Sequence, residues 1–124
     1  MRLPRTRRLL QGSEFRSVRS SGQSAAGRFL VLGFLEGHVA EDYRFGFITT
    51  KRLGNAVVRN QVRRRLRAIV RSSGQELRAG QGGRVVTVAR YNASRATYRE
   101  LAEDWAGLAS KLGIILASSW EEEQ

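Results

Sequence analysis

Apolar residues recur along this chain with two distinct periods. Between Gly27 and Glu36 the run RFLVLGFL (28–35) is apolar and aromatic and too short to stand as a helix. Read with a period of two, it predicts a strand with Leu30, Leu32 and Phe34 on one face and Phe29, Val31 and Gly33 on the other. The polar loop EGHVAED separates it from YRFGFITT (43–50), predicted as a second strand that pairs with the first as an antiparallel hairpin. RVVTVAR (84–90), β-branched and alternating, predicts a third strand after a Gly-rich loop at 74–83. Three segments carry helical spacing instead. SEFRSVRSS (13–21) predicts a short helix with Ser13 as its cap, Glu14 in its first turn, and Phe15 and Val18 on one face. Residues 56–72 predict a long helix behind the N-cap Asn55. In the last, over 98–112, Thr97 and Glu100 have capping-box spacing, Leu101, Trp105, Leu108 and Leu112 form a core stripe, and Gly113 ends the helix. The order α-β-β-(β)-α-β-α, with the bracketed strand left open, predicts an α+β fold whose helices pack on a central mixed β-sheet. The chain of 124 residues fits one domain over 1–113, which opens with a basic arm at 1–12 and is followed by a tail at 114–124.

The central helix separates its two chemistries cleanly. At about 100° per residue, Val58, Val62, Leu66, Ile69 and Val70 fall within about a third of the wheel. Asn60, Arg63, Arg64, Arg67 and Arg71 share the adjoining polar side, Arg59 lies at the border, and Arg65 lies across the apolar stripe. Like charges at four-residue spacing repel and weaken a helix slightly. No Asp or Glu occurs between residues 51 and 75 to relieve that cost, whereas a phosphate backbone alongside would. Asn60 adds an amide that can pair with a base edge, a ribose or a metal-bound water.

Charge sharpens this picture. Lys plus Arg total 22 against 11 acids, for a net charge of +11, and without Glu121, Glu122 and Glu123 it would be +14. Such a chain attracts polyanions over long range, with an affinity that falls as salt rises. All but Lys51 and Lys111 of the cations are arginine, the residue that pairs two phosphate oxygens at once; a GC-rich coding bias yields the same preference. A solvated basic face, a membrane-surface helix and an acidic protein partner remain alternative uses of the ridge, although the apolar stripe is needed to cover the sheet. Cysteine is absent, so there is no disulfide partner and no thiolate metal site, and the lone His38 reads as a loop residue. The apolar runs are too short to cross a membrane, and the start MRLPRTRRLLQG lacks the apolar core of a secretory signal, so a cytoplasmic protein is expected. Neither a carboxylate pair within one motif nor a nucleophile beside a base is present, and no catalytic residue is expected in the chain.

The stretch Arg59-Asn60-Gln61-Val62-Arg63-Arg64-Arg65-Leu66-Arg67 resembles the RNR signature of the bacterial ribonuclease P protein. Lys51, Arg52 and Gly54-Asn55-Ala56-Val57 extend the likeness upstream. The Phe15 region and the RFLVL, YRFGF and VVTVAR strands continue it in the family's order over about residues 3–112. Gln61 stands where the signature often has Arg, and GIILASSWEEEQ replaces the basic or aromatic end common in the family. The resemblance implies a left-handed β-α-β crossover made by the basic helix. It also implies a subunit of an endoribonuclease that removes the 5′ leader of precursor tRNA, with the chemistry and most of the Mg2+ on the catalytic RNA and none bound by the protein alone. Lys51, Arg52, Arg59, Asn60, Arg63, Arg64 and Arg67 would then face the catalytic RNA. Phe15, Arg19, Phe29 and Val31 would line a cleft for the single-stranded leader, made shallower at Gly33. A ribosomal or other structural nucleic-acid-binding module using the same helix is the alternative, and a nuclease acting without RNA is a third reading.

Overall fold

A computed structural model describes residues 12–37, 43–77 and 82–115. Residues 1–11 of the expected arm, His38 in its loop and residues 116–124 of the tail lie outside them. The elements follow the order α1 (Gly12–Ser21), β1 (Gln23–Ala26), β2 (Leu30–Glu36), β3 (Tyr43–Ile48), α2 (Ala56–Ser72), β4 (Gly83–Ala89) and α3 (Tyr98–Lys111). The four strands form one mixed sheet in the order β1-β2-β4-β3. The fold is α+β, with three α-helices among the described residues packed on a mixed sheet.

Sheet order corrects the expected hairpin. β2 and β3 do not pair, because β4 lies between them, antiparallel to β2 and parallel to β3. The basic helix α2 therefore joins two parallel neighbours, β3 and β4. The hairpin that does form joins β2 to β1, the bracketed strand, which lies ahead of β2 in the chain rather than after β3. Its sequence, QSAA, has no apolar alternation and pairs on one side only.

One face of the sheet carries the core. Leu30, Leu32, Phe34, Tyr43, Phe45, Val85 and Ala89 pack against Val62, Leu66, Ile69 and Val70 of α2 and Leu101, Trp105, Leu108 and Ala109 of α3. Leu112, assigned to the α3 stripe, is only partly buried, and Ala109 takes the position on the core side. Ile114 and Ile115 are buried as well, so the folded unit runs past the expected boundary at 113; Gly113, at φ 75, turns the chain back to bring them in. At the other end, helix α1 already includes Gly12, so Ser13 lies inside the first turn and is not the cap.

Polar contacts close the start of α3 and fix the helix on the sheet. Its capping box is complete, and the Thr97 backbone N–H donating to Glu100 holds that carboxyl below the usual carboxylate range. Deeper in, the Trp105 indole N–H donates to Thr87 Oγ1 at 3.1 Å, and both side chains are fully buried. Thr87→Val keeps the shape but strands that donor where water cannot reach it. We expect a loss of about 1–3 kcal/mol, read as a lower urea midpoint with an unchanged slope.

Candidate nucleic-acid interface

Helix α2 starts where its sequence dictates. Asn55 Oδ1 accepts the Val58 N–H at 3.0 Å, and Gly54 supplies the φ of 139 that the preceding turn requires. Val62, Leu66, Ile69 and Val70 turn inward, and the arginines are left outward along the opposite side. Asn60, Arg63, Arg64, Arg67 and Arg71 together line a polar groove of about 350 Å³.

The six arginines of α2 differ in what holds them. Arg63 donates to Thr49 Oγ1 at 2.5 Å and to Asn60 Oδ1 at 3.2 Å, which fixes it at the base of the groove. Arg65, on the far side, donates to the Ala96 carbonyl at 3.3 Å and ties α2 to the turn before α3. Arg59 is half-buried, and its Nε has no hydrogen-bond partner among the described residues. Arg64, Arg67 and Arg71 are exposed. Among the described residues no carboxylate pairs with any arginine of α2, since the ion pairs run from Glu14, Glu100 and Glu103 to arginines elsewhere. The ridge is a row of cationic forks along one side of the helix, each suited to two oxygens of a phosphate. Lys51 and Arg52 are exposed on a 3-10 turn ahead of the helix and do not line the groove.

A second surface lies on the opposite face of the sheet. Register places Val31, Val88 and Ile48 in one row across β2, β4 and β3. Gly33, Val86 and Gly46 form the next row, and Leu35, Arg84 and Arg44 the third. Helix α1 crosses the second and third rows. Val18, 4% exposed, sits over Gly33, where a Cβ would come within 3.0 Å of Val18 Cγ1. Gly33 thus lets α1 settle onto the sheet. Beside α1 an apolar groove of about 470 Å³ remains open, its floor the first row and its wall Phe15, Arg16 and Arg19.

Phe15, Arg19 and Val31 therefore share this groove, as the sequence suggests. Phe29 does not. It precedes β2, is 7% exposed and belongs to the core, with the Arg28 guanidinium 4.8 Å from its ring centre. Its departure from the Val31 face has a visible cause. The Asp104 carboxylate accepts the N–H groups of Arg28, Phe29 and Leu30 at 3.1, 2.9 and 2.9 Å, which curls the backbone before the strand begins. Sequence reasoning missed Arg16, Ile48, Val86 and Val88 in this groove. The alternation of VVTVA and YRFGFI puts Val86 and Val88, and Ile48, each on one face of its strand, but only the sheet order sets those faces side by side.

Comparison with known proteins decides what carries these two surfaces. A family model described as Ribonuclease P matches residues 3–113. The chain belongs to the bacterial ribonuclease P protein family. The ribonuclease P protein component of Syntrophomonas wolfei is 33% identical over 113 residues, covering 91% of this chain and 92% of the relative. That of Symbiobacterium thermophilum is 35% identical over 108 residues, covering 87% and 92%. In fold, the chain is similar to the Staphylococcus aureus RNase P protein, at a TM-score of 0.77 and 22% identity over 87% of this chain and 96% of the other. It is also similar to the Thermotoga maritima protein, at a TM-score of 0.70 and 23% identity over 86% and 94%. The stretch that resembles the ribonuclease P signature, Arg59 to Arg67, supplies Asn60, Arg63, Arg64 and Arg67 to the cationic groove of α2, and Arg71 completes it one turn later.

Proposed function

We propose that this ribonuclease P protein subunit binds the catalytic RNA through the α2 ridge and the 5′ leader of precursor tRNA in the groove beside α1. It thereby promotes the endonucleolytic cut that yields the mature tRNA 5′ end, acting in the cytoplasm. The observation that carries this reading is the row Asn60, Arg63, Arg64, Arg67 and Arg71, preorganised on a rigid helix and matched by no carboxylate among the described residues. Lys51, Arg52 and Arg59 extend the same positive surface around the start of the helix. The groove offers what an unpaired strand needs: an aromatic face at Phe15 for a base, apolar floor at Val31, and Arg19 for a phosphate. Phe29 is not assigned a contact with the leader.

The chemistry is assigned to the RNA partner. Magnesium, when bound, supplies charge neutralisation and activates the attacking water. The family resemblance places that ion mainly on the RNA; among the described residues no three His, Cys, Asp or Glu side chains come together. Among the described residues no helix is long and apolar enough to cross a membrane.

The test is reconstitution with a bacterial ribonuclease P RNA and a 5′-extended tRNA, with each component omitted in turn. Cleavage should need the RNA and rise with the protein. Arg59→Ala and Arg64→Ala should each lower the rate at limiting magnesium by about tenfold, the equivalent of one charge-assisted contact. Full activity in both variants would contradict the assignment, and cleavage by the protein without RNA would move the chemistry onto this chain.

A further inference from the structure

The wall of the groove is pinned by a contact that lies outside it. Arg44 and Arg84 are direct neighbours on the parallel strands β3 and β4, and both point to the α1 side. Two like charges side by side on one sheet face repel. A single carboxylate oxygen resolves this: Glu14 Oε2 accepts from Arg44 Nη1 at 2.7 Å and from Arg84 Nε at 2.8 Å. The Glu14 side chain is only 12% exposed, against 36% and 30% for the two arginines, so this ion triad is far less screened than a surface pair.

Glu14 belongs to the first turn of α1, next to Phe15, and Val18 follows one turn later. The helix of 10 residues buries one side chain, Val18, in its seat over Gly33. Among the described residues two attachments thus hold α1 to the sheet: Val18 over the second row and Glu14 over the third. The open first row and the side chains of Phe15 and Arg19 face the groove between them. If the Glu14 attachment is released, a short helix anchored by one valine can lift or roll, and the spacing from Phe15 to Val31 and Val88 is lost.

We propose that Glu14 is a positioning residue that sets the width of the leader groove by clamping α1 to the Arg44–Arg84 pair. The inference rests on the groove reading given above, and goes beyond it by assigning the geometry of the groove to a charge cluster that makes no contact inside it.

The experiment uses the reconstituted holoenzyme with precursors carrying a long or a one-nucleotide leader, and amide hydrogen exchange of the free protein. Glu14→Gln keeps the shape and removes the charge. Exchange within residues 15–21 should speed up by about tenfold, while the α3 amides keep their protection. KM should rise more for the long leader than for the short one, so that the ratio between them shifts by about threefold to tenfold with little change in kcat. Arg84→Met should shift both readouts the same way by a smaller amount, since Arg44 still holds the carboxylate. Unchanged α1 exchange would overturn the proposal, and so would an equal rise in KM for both leaders, the mark of a general loss of structure. Tighter binding of the long leader would overturn it too, because Glu14 would then be competing with RNA for the arginines. Val31→Glu separates the two levels: if it abolishes leader discrimination while Glu14→Gln leaves it intact, the clamp alone is wrong. If Val31→Glu also leaves discrimination intact, the groove reading fails and the clamp proposal falls with it.

Discussion

Replacing Arg64, Arg67 and Arg71 together with alanine is expected to weaken binding to the ribonuclease P RNA on the order of 100- to 1000-fold at physiological salt. Each is exposed and lines the α2 groove, and none has a carboxylate partner among the described residues, so little folded structure depends on them. Arg63 and Arg65 are left in place because they brace Thr49, Asn60 and Ala96. A charge-assisted hydrogen bond to phosphate contributes about 1.5 kcal/mol or more, and three of them, discounted for overlap, give the stated range. The slope of log affinity against log salt should become shallower by about 2–3, since each lost phosphate contact releases fewer counterions. Stability should hold or rise slightly, because alanine favours helix and the repulsion along the ridge is removed. Filter binding across a salt series, paired with thermal unfolding, checks both parts. A loss of affinity with an unchanged salt slope would mean that these arginines do not meet phosphates.

That variant can be designed from the sequence because α2 is the most legible part of the chain. Asn55 marks its start, the Val62-Leu66-Ile69-Val70 stripe marks its inner face, and a run without acids leaves the outer face positive. Its observed bounds, Ala56–Ser72, coincide with those read from the pattern. Helix α3 was legible for the same reason, through its capping box and core stripe. A helix satisfies its own backbone, so its signals are local. A strand does not, and its partner is chosen by elements far away in sequence. The alternation of RFLVLGFL and YRFGFITT shows which side chains share a face, but not that β4 separates the two strands. One clue was available: VVTVA is apolar at four of five positions, including neighbours on opposite faces, as suits a strand covered on both sides. Phe29 escaped the pattern because the period of two begins only where the strand does. β1 escaped it because an edge strand of Gln, Ser and Ala is held by backbone pairing and offers no apolar signal. The groove beside α1 inherits both difficulties. Phe15, Arg19 and Val31 could be named one by one, whereas Ile48, Val86 and Val88 join them only through sheet order.

Asp104→Ala is expected to cost about 3–4 kcal/mol of folding stability, a large share of the few to fifteen or so that a domain of this size holds. The carboxylate is the acceptor for three consecutive backbone N–H groups, those of Arg28, Phe29 and Leu30, across 74 to 76 residues of chain. The last two are partly buried, and a bond from N–H to an ionised acceptor is worth about 1.5–3 kcal/mol; water can replace part of the loss at the exposed Arg28 N–H. Gly27 is shaped to the same acceptor, since a Cβ there would collide with Asp104 Oδ1. Gly27→Ala should therefore displace the carboxylate and reproduce much of the loss, while Asp104→Asn, which keeps one oxygen, should fall between. Denaturant unfolding of the three variants tests the series, and equal stability of Asp104→Ala and the parent chain would refute it. The same variant separates two accounts of RNA affinity. Removing an acid raises the net charge from +11 to +12, so attraction governed by charge alone would strengthen binding. If the β1–β2 turn instead holds Ser24 and Val31 in place beside α1, the leader-dependent part of the affinity should weaken despite the added charge. Opposite signs are predicted for one substitution, and a comparison of long- and short-leader precursors in the reconstituted enzyme decides between them.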